Sequence, residues 1–199
     1  RLSRDFYERD TVRVARALLG QRLTRVDPAS GLRLSGRICE TEAYGGADDP
    51  SSHAYRRTAR SDIMFGAPGF AYVYFIYGAH HCLNAVTAPP GVPGAVLIRA
   101  VEPLDGIELM RHRRGAVKDR SLTRGPGNVC QAMGFRLEHD GVDLVLSGEV
   151  YVELVAQAVE MECSPRIGIT KNTEPLLRYY DPRSAFVSGP RAFRTGVTP

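Results

Sequence analysis

Residues 70–86 read FAYVYFIYGAHHCLNAV, two apolar runs interrupted once, at Gly78. Tyr72 and Tyr74 stand two apart, the side-chain period of a strand, and Tyr, Phe, Val and Ile favour strands. Gly78 is where such a chain turns, so the segment predicts a β-hairpin. A lone hairpin is marginally stable in water, so the rest of the chain must supply further strands. Tyr77 breaks the parity of Tyr72 and Tyr74 and sits directly before the turn glycine. A large aromatic at a turn tip has no core to fill, and needs another purpose.

The flanking segments supply the sheet. AVLIRAVEP at 95–103 is a nearly continuous apolar strand, and QRLTRVDPASGLRLSGRICETEAYG at 21–45 reads as two strands joined by a turn at 27–31. The stretch 148–170 suggests further strands. TVRVARALLG at 11–20 is an amphipathic helix that Asp10 or Thr11 caps and Gly20 ends. DGIELMRHRRG at 105–115 is helical in pattern, and 122–134 accommodates another helix. Residues 45–69 are rich in Gly, Ser, Asp and Pro, and predict a loop with a short helix, long enough to carry function. No repeat or linker divides the chain. The expected fold is mixed α/β (α+β): a single domain over 1–199, with a mainly antiparallel curved β-sheet, a protruding β-hairpin and peripheral helices.

The 199 residues are 43% hydrophobic, enough for a sizeable core, while 20 Gly and 13 Pro favour turns over long helices. No apolar run approaches a membrane span, and no signal peptide is visible, although the chain starts at Arg1. The net charge of +4 favours a polyanionic partner only weakly. Cys39, Cys82, Cys130 and Cys163 lie far apart with no CxxC pair, which argues for free thiols and against a zinc site. GxSxG, Walker A and GxGxxG motifs are lacking, as is the H-x-E with P-C-x-x-C of zinc deaminases.

Several residues are placed for chemistry. In RICETEAY a regular strand puts Ile38, Glu40 and Glu42 on one face. Two carboxylates two residues apart are roughly 7 Å apart, within reach of an inverting glycosidase pair. An exposed acidic strand face is the ordinary alternative, and the lack of Trp argues against carbohydrate. Tyr44, His53, Tyr72, Tyr74 and Tyr77 could clamp a flat ring, against the plainer reading of Tyr72 and Tyr74 as sheet packing. The His80-His81 pair resembles no metal motif, because neighbours on a strand point to opposite faces. Arg99, a charge inside an apolar strand, requires a partner, with Glu42 or Glu102 as candidates, and Asn84 requires hydrogen bonds. The segment 111–124 carries six Lys or Arg. Arg113 and Arg114 suit either DNA-backbone phosphates or the cation-favouring end of a helix. These features leave three functions open: an O-glycoside hydrolase using Glu40 and Glu42, a non-enzymatic nucleic-acid-binding module, and an enzyme acting on a base.

Together, ARALLG, ETEAYGG with His53 nine residues after Tyr44, MFGAPGFAYVYFIYG, CLN, AVLIRAVEP, GPGNVCQAMG, PRIGI and LRYYDPRSAFVSG resemble the alkyladenine (3-methylpurine) DNA glycosylase family, over nearly the whole chain. The resemblance implies hydrolysis of the N-glycosidic bond of alkylated or deaminated purines such as 3-methyladenine and hypoxanthine. Glu42 would be the general base, and Arg99 would help hold the water with a main-chain carbonyl in the stretch of Arg166, Ile167 and Gly168. Tyr44, His53 and Tyr74 would surround the flipped base, and Asn84 would disfavour the amino group of guanine. Tyr77 would enter the minor groove. The partner implied is damaged double-stranded DNA. No metal or other cofactor is implied, and a monomer without membrane attachment is expected, cytoplasmic and nucleoid-associated if bacterial. The chain departs from the family at Arg60-Ser61, where Arg-Asn is usual. Its only lysines, Lys118 and Lys171, fall outside the stretches assigned to the pocket, so a monofunctional enzyme without an amine nucleophile is expected.

Overall fold

The computed structural model describes residues 1–156 and 158–189. After a short helix α1 (Arg4–Tyr7), Asp10 caps α2 (Thr11–Leu18) by accepting from the Arg13 amide at 3.0 Å. The apolar side of α2, with Val14, Ala15 and Leu18, is fully buried, and Gly20 leaves the helix at φ 81°. Strands β1 (Arg22–Val26) and β2 (Arg33–Tyr44) pair antiparallel around the predicted turn, where Asp27 accepts from the Ser30 amide. The hairpin is β3 (Ala71–Ile76) and β4 (His80–Val86), followed by β5 (Ala95–Asp105). Helices α3 (Ile107–Arg114) and α4 (Pro126–Met133) come next, then β6 (Val150–Glu153), β7 (Glu162–Ser164) and β8 (Arg178–Tyr180). The 45–69 segment holds two single turns of 3-10 helix, His53–Tyr55 and Asp62–Phe65. Helix α1 and strand β8 lacked a clear sequence pattern, being four and three residues long.

Among the described residues all eight strands join one antiparallel sheet, ordered β3-β4-β5-β2-β1-β6, with β7 and β8 attached beside β2. The twelve-residue β2 is the spine. Its first half pairs with β1 and its second half with β8, while β5 runs along its other edge. Gly36 permits that approach: a Cβ there would meet Val101 Cγ2 at 2.7 Å and the Glu102 carbonyl at 2.9 Å.

Two bulges aim the site. The β2–β5 register runs Ile38↔Val101, Glu40↔Ala100, Thr41↔Ile98, so Cys39 is the extra residue on β2 and Arg99 the extra residue on β5. A bulge re-aims side chains and is common beside active sites. The first breaks the regular alternation expected from RICETEAY: Ile38 joins the main core with Ala43 rather than sharing a face with the two glutamates. A smaller cluster, built from Ala54, Met64, Tyr72, Val86 and Ala95, holds the 45–69 segment against the hairpin. Ser61 is fully buried there, accepting from the Thr58 amide at 3.0 Å. The unusual serine thus serves as an internal fastening of its own turn.

Candidate active site

One sheet face carries two cross-strand rows. Register places Tyr72 opposite Asn84, Asn84 opposite Leu97 and Leu97 opposite Glu42. The neighbouring row begins with Tyr74 opposite Cys82 and continues toward Arg99 and Glu40. Tyr72, Tyr74, Cys82, Asn84, Leu97 and Arg99 floor a cavity of about 610 Å³, whose walls include Tyr44, His53 and Ile167, while Glu42 and Glu40 are buried behind Arg99. That volume lies within the usual range for a small-molecule site.

Glu42 is completely buried, yet each carboxylate oxygen is satisfied. Oε1 accepts from the Ile167 backbone N–H at 2.7 Å. Oε2 accepts from the Tyr44 hydroxyl at 2.8 Å and from Arg99 Nη1 at 3.2 Å. These donors fix the carboxylate's plane. Burial raises the Tyr44 hydroxyl pKa, and the adjoining Glu42 raises it further, so Tyr44 remains a donor.

Glu40 is equally buried but has a different task. Its Oε1 accepts from Arg178 Nε at 2.6 Å and Arg99 Nε at 3.3 Å, and its Oε2 from the Ser188 amide at 2.7 Å. Burial alone would raise its pKa, but Arg99, Arg178 and the Ser188 amide outweigh that and hold it below the ordinary value. A carboxylate kept ionised by two guanidinium groups has no proton to deliver, which removes Glu40 as the acid of a glycosidase pair. Arg99 is therefore paired with Glu42 and Glu40; Glu102, the other candidate partner, is taken by Arg37 at 2.8 Å. Burial works against the Arg99 charge, but both carboxylates more than compensate and its pKa is raised.

The aromatic wall is formed by edge contacts. The His53 ring lies 4.6 Å from the Tyr74 ring at 70°, and Tyr72 and Tyr74 are 5.3 Å apart. Tyr72 is both sheet packing and support: it is buried, and its hydroxyl lies 2.7 Å from His53 Nδ1. Burial and then the nearby Arg60 lower the His53 pKa, so the ring is neutral at pH 7. Asn84 finds its required partner in the Tyr72 carbonyl at 3.0 Å, which fixes its amide in the cavity floor.

Tyr77 reaches the mouth of the cavity. Its side chain is 83% exposed, and its backbone adopts φ 55°, a rare conformation for a tyrosine. With Gly78 at φ 66°, it makes the mirror-image turn that suits a hairpin's twist. Gly125 and the first turn of α4, Pro126, Gly127 and Asn128, line the cavity as well, and His80 packs against Gly127, where a Cβ would meet its ring at 3.0 Å. Sequence patterns gave no sign of that wall, nor of Cys82 and Leu97 in the floor.

The basic residues have specific partners. Arg113 pairs with Asp27 and donates to the Met133 carbonyl at 3.0 Å. Arg114 donates to Gln131 and to the Leu122 carbonyl. Both brace α3 against the C-terminal end of α4, roughly 12 Å along the helix from the end at the cavity. Lys171, by contrast, lines the cavity after all. Its backbone is drawn there because its carbonyl accepts from Ser51 Oγ. Arg60, absent from the sequence-based candidates, lies 4.8 Å over the Tyr74 ring.

Known proteins match this chain over almost its full length. The model of the family described as methylpurine-DNA glycosylase matches residues 5–185. Proteins of Bacillus cereus (strain AH187) and Bacillus anthracis (strain CDC 684 / NRRL 3495) are each 45% identical over 200 residues, covering 92% of this chain and 96% of their own. One of Bacillus mycoides (strain KBAB4) is 45% identical, covering 92% and 97%. All three are provisionally named 3-methyladenine DNA glycosylase.

Proposed function

Because the chain belongs to the methylpurine-DNA glycosylase family, we propose that it excises alkylated or deaminated purines, 3-methyladenine and hypoxanthine among them, from damaged double-stranded DNA. The carrying observation is Glu42: a buried carboxylate whose three donors, on Tyr44, Arg99 and Ile167, belong to residues lining a cavity also walled by His53 and Tyr74. A purine in a duplex must leave the stack before its sugar bond can be attacked. The cavity takes the flipped base edge-on between aromatic faces. Glu42 accepts a proton from water as the water oxygen attacks C1′, and the C1′–N9 electrons leave with the base. The products are a free purine and an abasic sugar.

Arg99 orients Glu42 by donating from Nη1 to Oε2. An alkylated purine is already cationic and departs readily. A neutral one such as hypoxanthine needs a hydrogen-bond donor to ease its departure, and neutral His53 supplies one from Nε2–H in the tautomer whose Nδ1 accepts from the Tyr72 hydroxyl. Asn84, held by the Tyr72 carbonyl, occupies the space an exocyclic amino group of guanine would need. Tyr77 fills the gap left in the stack. No step uses an amine nucleophile, which makes the enzyme monofunctional.

The test is a base-excision assay on duplexes bearing one hypoxanthine or one 3-methyladenine. Release of the free base, with strand scission only after added alkali, supports this reading. DNA binding without release would leave a binding module, and cleavage of oligosaccharides instead would restore the O-glycoside hydrolase.

A further inference from the structure

The Ile167 amide that holds Glu42 belongs to a strap, residues 166–172, which lies outside regular secondary structure. Something must keep that amide within 2.7 Å of a catalytic oxygen. The fastening converges on one carboxylate. Asp49 Oδ2 accepts from Arg166 Nη1 at 2.6 Å, and Oδ1 accepts from Arg166 Nη2 at 2.8 Å, a bidentate pair with almost no solvent access. Asp49 Oδ1 also accepts from Asn172 Nδ2 at 3.0 Å, at the far end of the strap. Asn172 holds φ 47° there, a conformation asparagine tolerates better than most residues. The same carboxylate accepts from the Gly45 amide at 3.1 Å and the Ser51 amide at 3.2 Å, which ties in the segments beside Tyr44 and His53.

Arg166 passes the constraint inward. Its Nη1 also donates to the Ala43 carbonyl at 3.0 Å, and its guanidinium lies 4.5 Å over the Tyr44 ring. Both donors that flank Glu42 from this side, the Ile167 amide and the Tyr44 hydroxyl, are thus located by one Asp49–Arg166 pair.

The geometry points to Asp49 as a positioning residue for catalysis: it clamps the 166–172 strap so that the Ile167 N–H and Tyr44 hold Glu42 in its attacking orientation. This rests on the reading of Glu42 as general base. Asp49 itself does not line the cavity and touches neither base nor water.

The test is single-turnover excision on a hypoxanthine duplex at saturating enzyme, with lesion-duplex affinity measured in parallel, compared for wild type and Asp49→Asn. Asp49→Asn leaves Glu42, Arg99 and Tyr44 unchanged and releases the strap that carries the Ile167 amide. The rate constant falls by ~10- to ~100-fold, the scale for a misplaced reacting group, while lesion-duplex affinity persists. A variant that merely loses folded protein shows a smaller amplitude at an unchanged rate constant, and that result overturns the proposal, as does wild-type behaviour. If Asp49→Asn does not fold, Asn172→Gly removes one tether while keeping the positive φ. It should lower the rate constant by a smaller factor, and an unchanged rate constant overturns the proposal. Glu42→Gln run alongside separates the two levels: if it excises normally the general-base reading has failed, whereas if it is inactive and Asp49→Asn is normal, only the clamp has failed.

Discussion

Arg99 reaches Glu42 from the bulge on β5, with Nη1 3.2 Å from Oε2. A regular strand would have continued its alternation past this point; the extra residue lets the guanidinium serve Glu42 and Glu40 together. Breaking that charge balance without changing shape is the sharpest test of the site. Glu42→Gln keeps the acceptor for the Ile167 amide and removes the base. Single-turnover excision should fall by at least ~10², the usual scale of general-base catalysis, while affinity for the lesion duplex persists. Near-normal excision by the glutamine variant would exclude Glu42 as the base.

The Asp49 clamp has a stability signature distinct from its kinetic one. Burial works against the Asp49 charge, but Arg166, Asn172 and the Gly45 amide outweigh it and bring the pKa from 3.8 to about 2. A depressed carboxylate contributes stability in full above its unfolded pKa and loses it as pH falls through the folded value. The melting temperatures of wild type and Asp49→Asn should therefore differ at neutral pH and converge between about pH 4 and 2. A constant gap across that range would show that the charge of Asp49 carries none of the difference.

The basic residues divide into two groups. Arg113 and Arg114 are engaged with Asp27, Gln131 and backbone carbonyls. Replacing both by alanine should lower the melting temperature and leave the salt dependence of DNA binding unchanged. Lys171 and Arg60 stand at the cavity. Replacing either should weaken binding to lesion and plain DNA alike, and reduce the slope of log affinity against log salt by roughly one for each phosphate no longer neutralised. The reverse pattern would return the phosphate-binding role to α3.

Lys171 also makes the monofunctional reading testable. Lys171 is among the residues that line the cavity, so an abasic aldehyde formed there has an amine-bearing residue beside it. If water activated by Glu42 performs the displacement, borohydride traps no protein–DNA adduct during excision, and EDTA leaves the rate unchanged. An adduct that disappears in Lys171→Ala would assign a lyase step to this residue.

What the sequence disclosed depended on the range of the forces involved. Hairpin, β5, α2, α3 and α4 follow from periodicity, turn residues and caps, which act over a few positions. Glu42, Arg99 and Asn84 stood out because a polar group in an apolar strand needs a partner. The partner itself was less legible: Arg99 takes Glu40 rather than Glu102, because two bulges shift the register and no local pattern marks a bulge without glycine. Lys171 reaches the cavity on a segment whose path is set by a distant fastening, Ser51 on the Lys171 carbonyl, and the N-terminal end of α4 is brought to the cavity by tertiary packing that no local pattern marks. The charges of Arg113 and Arg114 are visible in sequence; the Asp27 partner of Arg113 and the Gln131 and Leu122 acceptors of Arg114 are not.

Tyr77 is the residue whose place in the chain most needs a function. Its side chain is 83% exposed at the hairpin tip, with its backbone at φ 55°. Such conformations persist where surrounding structure enforces them, and cluster at functional sites. As a wedge, Tyr77 would enter the minor groove and occupy the space of the flipped nucleotide, part of its binding energy offsetting the unstacking. Tyr77→Ala should cost roughly 1–3 kcal/mol of lesion-duplex binding, the scale of one base stack, or roughly 5- to 150-fold in affinity. It should melt at or above the wild-type temperature, since the exposed ring supports no buried packing. Tyr72→Ala is the control. Tyr72 is buried and supports His53, so its removal should lower the melting temperature. Fluorescence of 2-aminopurine placed beside the lesion reports unstacking directly. If Tyr77→Ala unstacks the lesion as well as wild type does, the hairpin tip is not the wedge, and its strained tyrosine serves some purpose other than DNA binding.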